Sequence, residues 1–170
     1  MQFYRLDATA ATIAAALGAD RNGDVWPGGA VVPSGFAPVA IRGDDGGRRL
    51  VPRQWGVPPP PRGQHPVTTV RNLASPFWIG TLRHTQFRCL VPMTAMPGPG
   101  GDVMAMPDTL PGAPVFVAAG IWRDSEVVSF AILTAADAAG RIGPVLLHRQ
   151  EYALWLSADW KVAQRMVQGR

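Results

Sequence analysis

Few residues of this 170-residue chain are of types that commonly carry out chemistry. Histidines occur only at positions 65, 84 and 148, so far apart that each is interpreted as a surface or loop residue. The single cysteine, Cys89, lies in an apolar stretch, where a thiol usually behaves as a small buried hydrophobe. The aspartates at 44 and 45 stand among glycines and suit a turn. No Walker-type loop and no Cys/His cluster with zinc spacing is present, so the sequence predicts neither a metal nor a cofactor.

The charge of the chain is compatible with an anionic partner. Its formal net charge is +4 and its pI is about 10.2, and Lys161 is the only lysine among 16 basic residues. Arginine offers a planar fork that pairs with phosphate in bidentate fashion. GC-rich codon usage, which favours Arg, Ala, Gly and Pro together, explains the same surplus, and charge alone does not separate the two interpretations.

Length and composition predict a single globular domain spanning residues 1–170. Hydrophobic residues make up 47% of the chain, enough for one core, while 19 glycines and 17 prolines favour short strands joined by turns. One cysteine allows no intrachain disulfide, which suits the cytoplasm. The N-terminus does not resemble a signal peptide, and no apolar run approaches the ~20 residues of a membrane span. We therefore expect a cytoplasmic monomer without a membrane partner.

Apolar patterning and turn residues predict an α+β fold with a mainly antiparallel sheet. Strands are predicted at 3–6, 37–42, 48–55, 67–70, 87–92, 115–122, 127–134 and 144–147. Helices or helical turns are predicted at 10–17, 76–82, 135–139 and 150–156, the last running on to 160–167. Residues 20–35 and 93–114 are predicted loops, and the prolines at 58–61 form a stiff, extended segment.

Several segments, in order along the chain, resemble the SOS-response-associated peptidase (SRAP) family. They cover nearly the whole chain and are Trp-Gly-Val-Pro at 55–58, Thr-Val-Arg-Asn at 69–72, Ser-Pro-Phe-Trp at 75–78, Arg-Cys-Leu-Val-Pro at 88–92, Phe-Val-Ala-Ala-Gly-Ile-Trp at 116–122, Phe-Ala-Ile-Leu-Thr at 130–134, Pro-Val-Leu-Leu at 144–147 and Trp-Leu at 155–156. The resemblance implies a mainly antiparallel bifurcated sheet folded into a pseudo-barrel, with a few flanking short helices.

The resemblance also implies a chemistry on DNA. Members of this family hold abasic sites in single-stranded DNA through a cysteine that follows the initiator methionine. The exposed amine and the thiol of that cysteine attack the ring-opened sugar aldehyde and close a thiazolidine. An asparagine, a glutamate and a histidine complete the site. The resemblance further implies a role in DNA-damage tolerance and an autocatalytic removal of the propeptide.

This chain departs from the family at the residues that carry the chemistry. Gln2 occupies the cysteine position and Gly98 the glutamate position, while the segment at 139–144 lacks the histidine. Prolines 59–61 replace tryptophans that commonly stack on bases in the family. Asn72 and Thr134 remain. We therefore expect no cysteine-dependent DNA–protein crosslink and no autopeptidase activity.

The leading hypothesis is a non-catalytic protein that binds single-stranded or abasic-site DNA. Arg71 and Arg88 would contact phosphates, with Arg5 or Arg83 as further members of the groove. Asn72 would be oriented to the remnant of the abasic pocket, and Thr134 is a further candidate DNA-binding residue. The alternative for the segment at 71–72 is that it only holds a strand-to-loop turn.

Two further hypotheses remain open. The α-amine of Met1 is of a type that forms a Schiff base with an aldehyde, which would leave a residual enzyme acting on abasic DNA. The methionine-rich loop at 93–114 would serve either as a protein-interaction surface or as a cover for the core.

Overall fold

The computed structural model describes residues 1–97, 103–104 and 113–169. Gly98 and most of the predicted loop at 93–114 lie outside these residues. The strands are β1 (Tyr4–Leu6), β2 (Ala19–Asp20), β3 (Gly29–Val31), β4 (Phe36–Arg42), β5 (Arg48–Trp55), β6 (Thr69–Val70), β7 (Arg88–Met93), β8 (Met96–Pro97), β9 (Val103–Met104), β10 (Phe116–Asp124), β11 (Val128–Ala136), β12 (Ile142–Pro144) and β13 (Leu146–Leu147). The α-helices are α1 (Ala10–Leu17), α2 (Pro76–Leu82), α3 (Tyr152–Ser157) and α4 (Trp160–Gln168), with 3₁₀ turns at Thr85–Phe87 and Arg149–Glu151.

Five strands form a ring. Neighbours follow the order β11–β10–β7–β4–β5, and every step along this path is antiparallel. A short parallel pairing of β5 with β11 closes the ring, where Ser129 lies opposite Gln54 and Phe130 opposite Trp55. This confirms the expected α+β fold with a mainly antiparallel sheet folded into a pseudo-barrel.

The sheet divides where β10 and β11 separate. The two strands pair as far as Gly120 opposite Ile132. Beyond that point β13 pairs with β10, while β6 and β12 pair with β11. Val145 joins the two branches, because its N–H donates to Leu133 (2.9 Å) and its carbonyl accepts from Ala119 (2.8 Å). The predicted single strand at 144–147 is therefore two short strands.

The core contains aromatic side chains from widely separated elements. Tyr4, Trp55, Phe130 and Trp155 are each 0% exposed. Tyr4 meets Trp55 edge to face, with ring centroids 5.1 Å apart, and this contact fixes β1 against the ring. The Trp155 indole donates to the carbonyl of Cys89 at 3.0 Å, which joins α3 to β7.

The bounds of several helices and strands agree with the sequence prediction residue by residue. Helix α1 begins after Thr9, whose hydroxyl accepts from the N–H of Thr12, and ends at Gly18 in the left-handed conformation. Helix α2 and strand β5 likewise have the predicted bounds. In these segments the cap and the turn residues act within a few positions of the chain.

Further sequence predictions were wrong in detail, and the predicted loop at 93–114 contains β8 and β9. Residues 135–139 do not make a helical turn, because β11 continues through Ala136 into a hairpin with β12. The predicted loop at 20–35 contains β3, which pairs with β1. The final helix is interrupted at Asp159, whose carboxylate accepts from the N–H of Val162 and starts α4 anew. Across the described residues, no helix combines the length and apolar character needed to cross a membrane.

Candidate nucleic-acid interface

The sequence-predicted pair at 71–72 emerges at the carboxyl end of β6. Strand β6 runs parallel to β11, with Thr69 opposite Ile132 and Val70 opposite Leu133. Thr134 is 7% exposed, and its hydroxyl donates to the carbonyl of Val70 at 3.1 Å. The structure thus brings Thr134 to the base of the turn, where it fixes the chain immediately before residue 71.

Arg71 and Asn72 are both exposed. The Asn72 carboxamide oxygen accepts from the N–H of Ala74 at 3.0 Å, and its backbone carbonyl accepts from the N–H of Ser75 at 3.2 Å. Ser75 in turn caps α2 by accepting from Phe77. The amide NH₂ of Asn72 makes no hydrogen bond to the described residues, so a rigid turn presents an exposed donor beside an exposed guanidinium.

Arg88 does not lie on this surface, which corrects the expectation that it lines a groove. Its side chain is 0% exposed and rests 5.3 Å from the Trp155 ring. Its guanidinium donates to the carbonyls of Trp155 (3.1 Å) and Ala158, and to that of Leu82 at 3.3 Å. Burial lowers the pKa of Arg88 to about 10. Arg88 therefore ties the ends of two helices to β7 and is not positioned to meet phosphate.

The N-terminal segment is held along the end of β7. Arg5 exchanges backbone hydrogen bonds with Thr94 and Ala95, both at 2.8 Å. The guanidinium of Arg5 pairs with Asp7 at 2.6 Å, and this pairing lowers the pKa of that carboxyl. Gln2 is exposed, and no thiol accompanies the amine there. Because Asp7 already neutralises Arg5, that arginine is a weaker phosphate ligand than Arg71.

Helix α2 is anchored by a cation from β10. Arg123 donates to the hydroxyl of Thr81 at 2.9 Å and to the carbonyl of Phe77. Its guanidinium lies 4.3 Å from the Phe77 ring and 4.7 Å from the Trp78 ring. These contacts hold one face of α2 against the barrel and leave the opposite face to solvent.

A cluster of aromatic side chains and an arginine, which was not predicted from the sequence, lies beyond the carboxyl end of α2. Arg53 stacks 4.5 Å from the ring of Trp122, which lies 5.4 Å from Phe87, and Phe87 lies 6.1 Å from His84. The Trp122 indole donates to the carbonyl of Gln86 at 2.9 Å. His84 is exposed and Phe87 is half-buried, so the outer part of this aromatic–arginine cluster meets solvent.

One sequence signal could have indicated this region. Residues 46–101 contain seven arginines and two histidines, yet all 12 acidic residues of the chain lie outside this stretch. The stretch supplies β5, β6, α2 and β7. Neither Arg71 nor Arg83 forms an ion pair with a described residue. Uneven placement of charge gives a positive surface that net charge alone understates.

The described residues offer neither a metal-binding cluster nor an accessible thiol. Within the part of the chain that the structure describes, no three His, Cys, Asp or Glu residues come together to hold a metal. Cys89 is 0% exposed, and burial raises the pKa of its thiol well above the ordinary value of 9.0. Among the methionines of the 93–114 segment, Met93 is fully buried and Met96 packs on the core. Those two side chains cover the interior and offer little contact surface.

Solved structures share this fold along almost the whole chain. A protein from Bordetella bronchiseptica superposes with a TM-score of 0.75 at 16% identity, covering 98% of this chain and 93% of the other. A phage-related protein from the same organism gives 0.71 at 16% identity, covering 98% and 87%. A protein from Bacteroides thetaiotaomicron gives 0.66 at 16% identity, covering 99% and 87%. No protein-family model and no curated protein sequence matches the chain. These similarities show a shared fold.

Proposed function

We propose that the chain is a degenerate member of the SRAP family that binds single-stranded DNA without forming the cysteine-dependent crosslink. The observation that carries the proposal is the exposed pair Arg71 and Asn72 on a turn held rigid by Thr134, Ala74 and Ser75. A guanidinium and an amide donor fixed side by side suit a phosphate and the adjacent sugar. The pseudo-barrel supports the proposal because the resemblance implied it.

The chemistry at the N-terminus argues for binding without a stable adduct. Closing a thiazolidine requires a thiol on the residue whose amine has condensed with the aldehyde, and neither Met1, which carries a thioether, nor Gln2, which carries a carboxamide, supplies one. Cys89 does not substitute, because its side chain is fully buried in β7 and its thiol stays protonated. The DNA complex is therefore held by reversible contacts, whose strength falls as salt rises.

Fluorescence anisotropy with a labelled single-stranded oligonucleotide tests this function. We expect binding at low salt that weakens with added salt, and a loss of about five- to tenfold in affinity for Arg71→Gln, since one phosphate contact disappears. Asn72→Ala should weaken binding less. Arg165→Gln, which removes an exposed arginine on α4, is the matched control and should bind like wild type. A flat anisotropy signal for the wild type at low salt would rule out the function.

A residual enzyme is the second candidate, and the packing of the N-terminus favours it. Met1 is half-buried and packs against the core, so the amine is held in one region of the surface instead of fraying into solvent. A neutral amine forms an imine with an aldehyde by losing water, and borohydride reduces that imine to a stable amine. Incubation of abasic-site DNA with borohydride should then give a shifted band on a denaturing gel. Absence of the band removes this candidate and leaves reversible binding untouched.

A further inference from the structure

The outward face of α2 is unusually open. Pro76, Gly80 and Arg83 lie on one side of the helix at i, i+4 and i+7, and all three are exposed. A Cβ added to Gly80 would meet no atom within 4 Å. Seven residues give the helix a length of about 10 Å. The face therefore has few protruding side chains and no acidic groups, and it is short enough for an extended polymer to pass along it.

Different binding groups stand at the two ends of this face. At the amino end lie Arg71 and Asn72, and at the carboxyl end lie Arg83, His84 and Phe87. The first pair is polar and suits phosphate, whereas the second group combines a cation with ring faces. Single-stranded nucleic acid is bound by this combination, a positive track for the backbone and aromatic side chains for the bases.

We propose that a single strand of nucleic acid lies along α2, with phosphates on Arg71 and Arg83 and a base stacked at His84 and Phe87. The proposal rests on the function proposed above and extends it from one turn to a path across the molecule. Recognition along this path is independent of base sequence, since its polar contacts are to the backbone.

Gly80 provides the sharpest test, because its position is midway along the path and accepts a side chain without a clash. Gly80→Glu places a carboxylate beside the phosphates and should weaken binding of oligothymidylate about five- to tenfold at low salt. Gly80→Lys should strengthen binding by a similar factor. Gly80→Gln has the size of glutamate without the charge and should bind like wild type. None of the three should lower the thermal midpoint, because glycine is a poor residue inside a helix.

The outcomes separate this path from the function on which it rests. If oligothymidylate binds and Arg71→Gln weakens it, but the three Gly80 variants bind alike, the path is wrong and the function stands. If the wild type binds no oligonucleotide, both are wrong. Polyglutamate that competes as well as oligothymidylate would overturn the assignment to nucleic acid and indicate an acidic protein as the partner. Gly80→Glu should weaken binding in the Arg83→Gln background as well, because Arg71 still holds the strand near residue 80.

Discussion

Two arginines from segments of the same resemblance have opposite roles. Arg71 is exposed and has no ion pair among the described residues, whereas the two terminal nitrogens of the buried Arg88 guanidinium donate to backbone carbonyls at the ends of α2 and α3. Carbonyls at a helix end have no partner within the helix, so a buried donor that reaches them removes a cost of desolvation. The residue type therefore predicted a cation at both positions, whereas the difference in burial determines which groups each guanidinium contacts.

Replacing Arg88 should destabilise the fold. Arg88→Met keeps much of the volume but leaves the carbonyls of Trp155, Ala158 and Leu82 without this donor. We expect the free energy of unfolding to fall by about 2–4 kcal/mol, measured by urea denaturation. Arg83→Met, at an exposed position, should change it by less than about 0.5 kcal/mol. Equal stability of the two variants would contradict the role assigned to Arg88.

The buried thiol should make stability depend on alkaline pH. Burial raises the pKa of Cys89 above 9.0 and that of Tyr4 well above 10.0. The unfolded chain therefore releases these protons at lower pH than the folded chain, so their stabilising contribution is complete below about pH 9 and falls as the pH rises. We expect urea denaturation to show a loss of about 1 kcal/mol between roughly pH 8 and 10.

Cys89→Ala is the control for this dependence and should flatten the profile over that range, leaving the smaller effect of Tyr4. Arg88, whose pKa is about 10, acts in the opposite direction only above that pH. A native protein whose thiol reacts rapidly with a disulfide reagent near neutral pH would contradict the burial of Cys89.

At the scale of elements, the contact between β7 and β10 depends on the absence of a side chain. Gly120 lies opposite Cys89, and a Cβ there would approach the Cγ2 of Val91 to 2.6 Å and the Sγ of Cys89 to 2.8 Å. Both neighbours are fully buried in the strand, so neither has room to withdraw. The glycine within the Phe-Val-Ala-Ala-Gly-Ile-Trp segment is thus a packing requirement.

Gly120→Ala should accordingly destabilise the barrel by about 1–3 kcal/mol, since overpacking forces strands apart or side chains out of their rotamers. Gly143→Ala on β12 is the matched control, because a Cβ there would meet nothing within 4 Å and should be close to neutral. Thermal denaturation followed by circular dichroism measures both. A Gly120→Ala protein as stable as wild type would show that β7 and β10 separate more easily than their packing indicates.

Elements set by neighbouring residues could be predicted from the sequence, and those set by distant partners could not. Thr9 and Gly18 bound α1 locally, and the glycines at 43–47 turn β4 into β5. By contrast, β3 exists because it pairs with β1, and the break between β12 and β13 exists because Val145 bonds to two different strands. The same distinction applies to the site. The exposure of Asn72 and the burial of Arg88 depend on packing against distant segments, which could not be predicted from the sequence alone.

The whole molecule depends on a junction between residues far apart in sequence. The parallel pairing of β5 with β11 joins Trp55 to Phe130, and the N–H of Gly56 extends it by donating to the carbonyl of Phe130 at 2.9 Å. Because the paired residues are far apart in sequence, bringing them together carries a loop-closure entropy cost that local pairings do not. The junction also fixes the end of β5, from which the chain continues into β6, the Asn72 turn and α2.

Amide hydrogen exchange should therefore distinguish the junction from the loop that follows it. We expect the Gly56 amide to exchange only through global unfolding, with the same dependence on urea as the unfolding transition. The Gly63 amide, which donates to Pro60 at 2.7 Å in an exposed turn, should exchange through local opening that urea barely affects. Site-resolved exchange by NMR measures both in one sample. If Gly56 instead exchanged as readily as Gly63, the barrel would open at this junction in the native state, and the turn bearing Arg71 and Asn72 would lose the rigid support on which its role in binding depends.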